Sequence, residues 1–244
     1  MALVHQTIEI PVADRTTMPA YLARPDGDAA RVGVVVVHEL FGVNPDIISV
    51  VDDIAHAGYL TIAPEFYHRD AAPGRWLPRD DSGRDEGFSL LHKMTRAQAI
   101  DDVRACADLL KTRYGVDEIA MVGFSAGGHL AFLAATQVPV SRVVVLYGGW
   151  LTSTDIPLSR PEPTLTLASG ITGKLLYLVG ESDKLIDEEE RGEIASALQA
   201  ANITHEMVTY PGAQHAFFWP GTPTFDESAR NDARRRILAL LAEN

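Results

Sequence analysis

Along this chain the spacing of hydrophobic positions switches repeatedly between a period of two and one of about 3.6, and each switch predicts an element. Apolar and polar residues alternate loosely over 7–11 and 18–23, which predicts an opening antiparallel pair. Residues 32–37 are a Val-rich run without a polar member, as expected of a strand covered on both faces. From Pro45 apolar residues recur at helical spacing to about His56, and Ala57-Gly58 ends that helix. Residues 59–64 read as the next strand. Further on, the same reading predicts helices over 95–114, 126–136, 188–201 and 226–242, and strands over 118–122, 143–147, 175–179 and 205–209.

Two long connections interrupt this rhythm. Residues 65–94 hold Pro73, Gly74, Pro78, Gly83 and Gly87 among many charges and show no clear period. A connection of about thirty residues in a compact domain is often a lid or binding loop. The alternative is a solvated excursion with a short helix of its own, and the pattern alone leaves both open. Residues 148–173, with Pro157, Pro161 and Pro163, form the second. Strands alternating with helices over the whole length predict an α/β fold: a mostly parallel, doubly wound sheet with helices on both faces. No internal repeat and no linker appears, so residues 1–244 are expected to form a single domain.

Composition narrows the function. The 244 residues are 46% apolar and 22% charged, with a formal net charge of −12. So acidic a chain repels phosphate backbones and anionic lipid heads, which argues against nucleic-acid or membrane-surface partners. Cys106 is the single cysteine, so an intramolecular disulfide and a Cys-rich metal site are excluded. Its helical context predicts a small packed residue. The N-terminus carries no basic segment followed by a long apolar one, and 32–37 is far too short to span a bilayer. A soluble, cytoplasmic protein is expected.

The chemistry centres on Gly123-Phe124-Ser125-Ala126-Gly127, a Gly-x-Ser-x-Gly elbow between a predicted strand and a predicted helix. Two glycines let the chain fold sharply around a strained serine, and the helix start beneath it offers backbone N–H groups to negative charge. A serine hydroxyl needs a base to take its proton, and the base needs an acceptor to fix its tautomer. In the chain order expected after such an elbow, Asp183 and His215 supply both. Asp183 follows the strand 175–179 directly. Glu181 and Asp187 compete with it, but Asp187 reads as the N-cap of the next helix. His215 lies on a loop after the last strand. Of the other histidines, His38 ends the third strand and is placed to line the site, and His129 lies in the elbow helix. The oxyanion donors are expected to be the N–H groups of Ala126 and Leu40. No metal or organic cofactor is called for.

These segments together resemble the dienelactone hydrolase family of α/β-hydrolases. The similarity is carried by Val35 to Asn44, by Leu60 to Arg69, by the elbow, by Gly180-Glu181-Ser182-Asp183 and by Tyr210 to Phe217. It implies an α/β-hydrolase fold and hydrolysis of esters or lactones. The chain departs from the family pattern in three places. Ser125 stands where the thiol members carry cysteine, and Ala126-Gly127-Gly128-His129 suits a serine. Glu39 matches the family glutamate, but a carboxylate is a feeble base for a hydroxyl, so its expected part is to hold that hydroxyl or to order the loop. Arg69 matches one of the two arginines that grip a substrate carboxylate, while Trp219 stands at the other. Half a clamp and an added indole point to an apolar or uncharged substrate; otherwise Trp219 packs against the lid and Arg69 pairs with Asp70 or another acid. Glu39, Arg69, Tyr147 and Trp219 are thus the candidate substrate contacts. The expectation is a serine esterase or lactonase, monomeric or homodimeric, acting on a small molecule through an acyl-enzyme. A peptidase or acyltransferase with the same triad, or a silent small-molecule binding protein, are the alternatives.

Overall fold

Val-rich segments leave no face for water, and they lie at the centre of the sheet. The computed structural model describes residues 2–27 and 31–243. Its strands are β1 (Leu3–Pro11), β2 (Thr17–Pro25), β3 (Val32–Val37), β4 (Leu60–Pro64), β5 (Glu118–Phe124), β6 (Arg142–Leu146), β7 (Lys174–Gly180) and β8 (His205–Tyr210). They form one sheet in the order β1-β2-β4-β3-β5-β6-β7-β8. Only β2 runs against its neighbours; every other adjacent pair is parallel.

Among the described residues six helices, α1 (Pro45–His56), α2 (Asp81–Leu91), α3 (Arg96–Tyr114), α4 (Ala126–Ala135), α5 (Glu188–Ala200) and α6 (Glu227–Ala242), complete the layers. Helices α1 and α6 meet through the Asp53–Arg234 ion pair, while α3 packs on α4, so both faces of the sheet are covered. Every residue of α4 is buried. Side chains supply the orphan donors at helix starts: Asn44 caps α1, Asp187 caps α5, and Thr95 with Gln98 forms a capping box on α3.

From β3 the chain moves outward to β4, and from β5 it moves the other way to β6. This reversal opens a crevice at the C-terminal ends of β3 and β5, where open α/β sheets place their sites. Leu40 follows β3 and Ser125 follows β5.

The long connections contain more structure than their pattern shows. Residues 65–94 include α2, capped by Asp80. Gly83 and Gly87 obscure its helical period for a packing reason. A Cβ on Gly87 would lie 2.7 Å from the Leu40 carbonyl oxygen, and one on Gly83 would lie 2.0 Å from that of Pro78. Residues 148–173 hold two 3₁₀ turns, Pro157–Ser159 and Thr164–Gly170. Tyr147 has left β6 and adopts a positive φ of 40°. Cys106 is fully buried.

Candidate active site

The elbow is built from close backbone approaches. Ser125 joins the end of β5 to the start of α4 with φ 53° and ψ −118°. A Cβ on Gly123 would lie 2.1 Å from the Gly127 carbonyl oxygen, and one on Gly127 would lie 2.3 Å from that of His38. Only glycine permits either approach. The Ser125 N–H donates to the Leu146 carbonyl at 2.9 Å, which ties the elbow to β6.

Three distant segments converge on the serine hydroxyl. His215 lies on the loop after β8, with its Nε2 2.9 Å from the Ser125 Oγ. Its Nδ1 lies 2.8 Å from Asp183 Oδ2. The other oxygen of Asp183 accepts the Leu185 N–H at 2.9 Å. A carboxylate facing Nδ1 keeps the proton there and leaves Nε2 bare toward the hydroxyl. Ser125 and Asp183 are buried, at 6% and 3% exposure, and the imidazole between them is partly open. The competing acids are engaged elsewhere. Glu181 accepts the Gly212 N–H at 3.0 Å and so pins the histidine loop, and Asp187 caps α5. The Tyr147 ring meets the His215 ring edge-on, centroids 5.0 Å apart.

Ala126 opens α4, and Leu40 lies in the turn after β3. Ala126 is the first residue of α4, a position whose N–H has no partner inside the helix, and among the described residues the Leu40 N–H donates to no backbone carbonyl.

His38 and His129 are buried, and each is hydrogen-bonded through both ring nitrogens. His38 Nδ1 lies 2.7 Å from the Glu39 carbonyl oxygen and its Nε2 accepts the Phe66 N–H at 3.2 Å. His129 Nδ1 lies 2.8 Å from the Gly149 carbonyl oxygen and its Nε2 lies 2.9 Å from the Thr164 hydroxyl. Burial drives both imidazoles down to about 4. His38 thus packs beneath the site instead of lining it.

The sequence profile of the Dienelactone hydrolase family matches residues 18–244. The chain belongs to the dienelactone hydrolase family. A Salmonella typhimurium protein provisionally named carboxymethylenebutenolidase is 33% identical over 230 residues, covering 93% of this chain and 83% of that one. Carboxymethylenebutenolidase 1 of Cupriavidus pinatubonensis is 27% identical over 91% of this chain and 90% of its own. The crystal structure of a provisionally named dienelactone hydrolase from Klebsiella pneumoniae superposes with a TM-score of 0.88 at 30% identity, covering 100% of both chains. The architecture is therefore the α/β-hydrolase fold, and the chain is a hydrolase of the ester- and lactone-cleaving kind.

The candidate substrate contacts of this dienelactone hydrolase family member sort differently from the sequence reading. Arg69 is paired with acids of this chain. Its NH1 and NH2 donate to both oxygens of the fully buried Asp102 at 2.7 and 2.8 Å, and its Nε donates to Asp14 at 2.7 Å. These bonds hold the guanidinium above its usual pKa. Trp219 is 1% exposed, packs on Phe124 and donates its indole N–H to Glu39 Oε2 at 2.9 Å. The other Glu39 oxygen lies 2.7 Å from the Arg79 guanidinium, which also reaches Asp46 at 3.0 Å and stacks over the Trp219 ring. Glu39 is therefore engaged with Arg79 and Trp219, with burial raising its pKa against the pull of Arg79. Arg79 escaped the sequence reading because nothing in the aperiodic segment 65–94 sets it apart from Arg75 or Arg84. Tyr147 is fully buried, and among the described residues its hydroxyl has no hydrogen-bond partner.

Among the described residues no helix is long and apolar enough to cross a membrane.

Proposed function

We propose that the protein is a serine hydrolase that cleaves uncharged carboxylic esters or lactones through an acyl-enzyme. The observation that carries this reading is the continuous path from the Ser125 Oγ through His215 to Asp183, with steps of 2.9 and 2.8 Å. Ser125 attacks the carbonyl carbon while His215 Nε2 takes its proton, and Asp183 stabilises the imidazolium. The carbonyl oxygen becomes an oxyanion between the Leu40 and Ala126 N–H groups. His215 returns the proton to the departing alkoxide. It then activates a water that hydrolyses the acyl-serine.

The charge arrangement supports an uncharged substrate. Arg69 and Arg79 are held by carboxylates on this chain, and, beyond the effect of burial, Glu39, Asp46 and Asp183 all lie close enough to Tyr147 to raise the pKa of its hydroxyl. An anionic acyl group would have to displace an existing partner of Arg79. Helix α2 closes against Leu40 through Gly87, and its Phe88 meets Trp150, centroids 6.3 Å apart, which gives segment 65–94 the part of a binding wall.

Purified protein is expected to turn over short-chain p-nitrophenyl esters, and Ser125→Ala is expected to abolish turnover and labelling by a fluorophosphonate. Undiminished turnover in that variant would remove Ser125 from the mechanism.

A further inference from the structure

The Ala126 half of the oxyanion hole is aimed by helix α4. The Leu40 half has no helix behind it. A peptide N–H in a turn points only where its own peptide plane is held, and in a trans peptide the carbonyl at the other end of that plane points the opposite way. The plane that carries the Leu40 N–H ends in the Glu39 carbonyl. That oxygen lies 2.7 Å from His38 Nδ1, and it also receives the Gly42 N–H at 3.4 Å.

The proton on His38 is located by its second bond. Its Nε2 accepts the Phe66 N–H at 3.2 Å, so Nε2 is bare and Nδ1 carries the hydrogen. The ring is 4% exposed and lies between the rings of Phe66 and Tyr67, at centroid distances of 5.8 and 4.9 Å. Phe66, just beyond β4, thus selects a tautomer in the residue after β3, and that tautomer holds the peptide that carries the Leu40 N–H.

We propose that His38 is the positioning residue of the oxyanion hole: its Nδ1–H, locked in place by the Phe66 amide, clamps the Glu39 carbonyl and so aims the Leu40 N–H at the developing oxyanion. This rests on the serine-hydrolase reading above. His38 touches no reacting atom. It acts on the transition state through one peptide plane, so its loss should appear in kcat and not in KM.

Two substitutions separate its two bonds. His38→Gln keeps an acceptor for the Phe66 N–H and loses the donor at the Nδ1 position. His38→Asn keeps that donor and loses the acceptor. His38→Gln is expected to lower kcat for a p-nitrophenyl ester about 10- to 100-fold with little change in KM, less than the roughly 10²–10³ that follows outright loss of a donor. His38→Asn should recover most of that loss. A trifluoromethyl ketone, whose adduct with Ser125 places an oxyanion in the hole, should lose affinity in His38→Gln by a similar factor. Equal kcat in all three proteins, or equal losses in both variants, would overturn the proposal. ¹⁵N NMR of the unmodified protein tests it without relying on a variant that folds: a neutral ring with its proton on Nδ1 is expected, and a proton on Nε2 refutes it. Unmodified protein inert to a fluorophosphonate would sink the hydrolase reading itself. Labelling of the unmodified protein and of His38→Gln at the same rate would sink only the role of His38.

Discussion

Ser125 holds a backbone conformation that most residues avoid, and its neighbours make that possible. A positive φ at a non-glycine residue costs about 1–3 kcal/mol, offset here by the bond from its N–H to Leu146 and by the packing around it. Gly123 and Gly127 contribute by what they lack. Because a Cβ on Gly127 would sit 2.3 Å from the His38 carbonyl and 2.4 Å from that of Val37, Gly127→Ala is expected to cost about 3 kcal/mol or more of stability. Chemical denaturation measures this, and an unchanged midpoint would contradict the packing argument. These glycines were legible in the sequence because the elbow demands them at fixed spacing. Asp183 was legible from its place just beyond a strand, and the competing Glu181 and Asp187 bind backbone N–H groups of Gly212 and Glu190. Charge partners were not legible. Arg69 carries the same side chain whether it meets a substrate or Asp102, and its tertiary neighbours decide which.

At the scale of elements, segment 65–94 is tied down at both ends. Near its start Arg69 links the end of β4 to Asp102 on α3 and to Asp14 in the β1–β2 turn. Arg69→Met would leave Asp102 buried without its cation, a loss of about 3–5 kcal/mol. The same substitution should change KM for a neutral ester and for a carboxylate-bearing lactone by equal factors. A selective rise for the acidic lactone would restore the carboxylate clamp. Near the middle, Arg79 fastens the segment to Glu39 and Asp46 just ahead of α2. With both arginines so engaged, kcat/KM is expected to be higher for a neutral lactone than for its carboxylate-bearing analogue, and the reverse order would show that a cation in the site remains available. Helix α2 escaped a periodicity search because packing, not propensity, selected its residues. Gly87 is a poor helix former, yet it alone allows the helix to rest on the Leu40 carbonyl.

For the whole molecule, two buried histidines tie stability to acidity. His38 and His129 both titrate near 4 in the folded protein, against 6.5 for a free side chain, because burial disfavours the charged ring. The unfolded chain therefore binds protons more readily. The stabilisation is complete above pH 6.5 and is lost as pH falls toward 4, by roughly 3 kcal/mol for each ring. Glu39, raised by burial, works in the opposite sense and contributes less as pH rises through its folded value. Denaturation followed from pH 7 to 4.5 should show a falling midpoint, with a shallower fall in His129→Gln; a flat profile would refute the linkage. By itself the sequence determined the order of strands and the doubly wound sheet, and it singled out the elbow, Asp183 and His215 as the proposed triad, because periodicity, turn chemistry and chain order act over short stretches or follow from sheet topology. Only the tertiary structure decided which carboxylates hold Arg69 and Arg79, why α2 carries glycines, and that Trp219 is buried behind Glu39. Those outcomes rest on contacts between residues far apart in the chain, and no local pattern encodes which partner a charged side chain will meet.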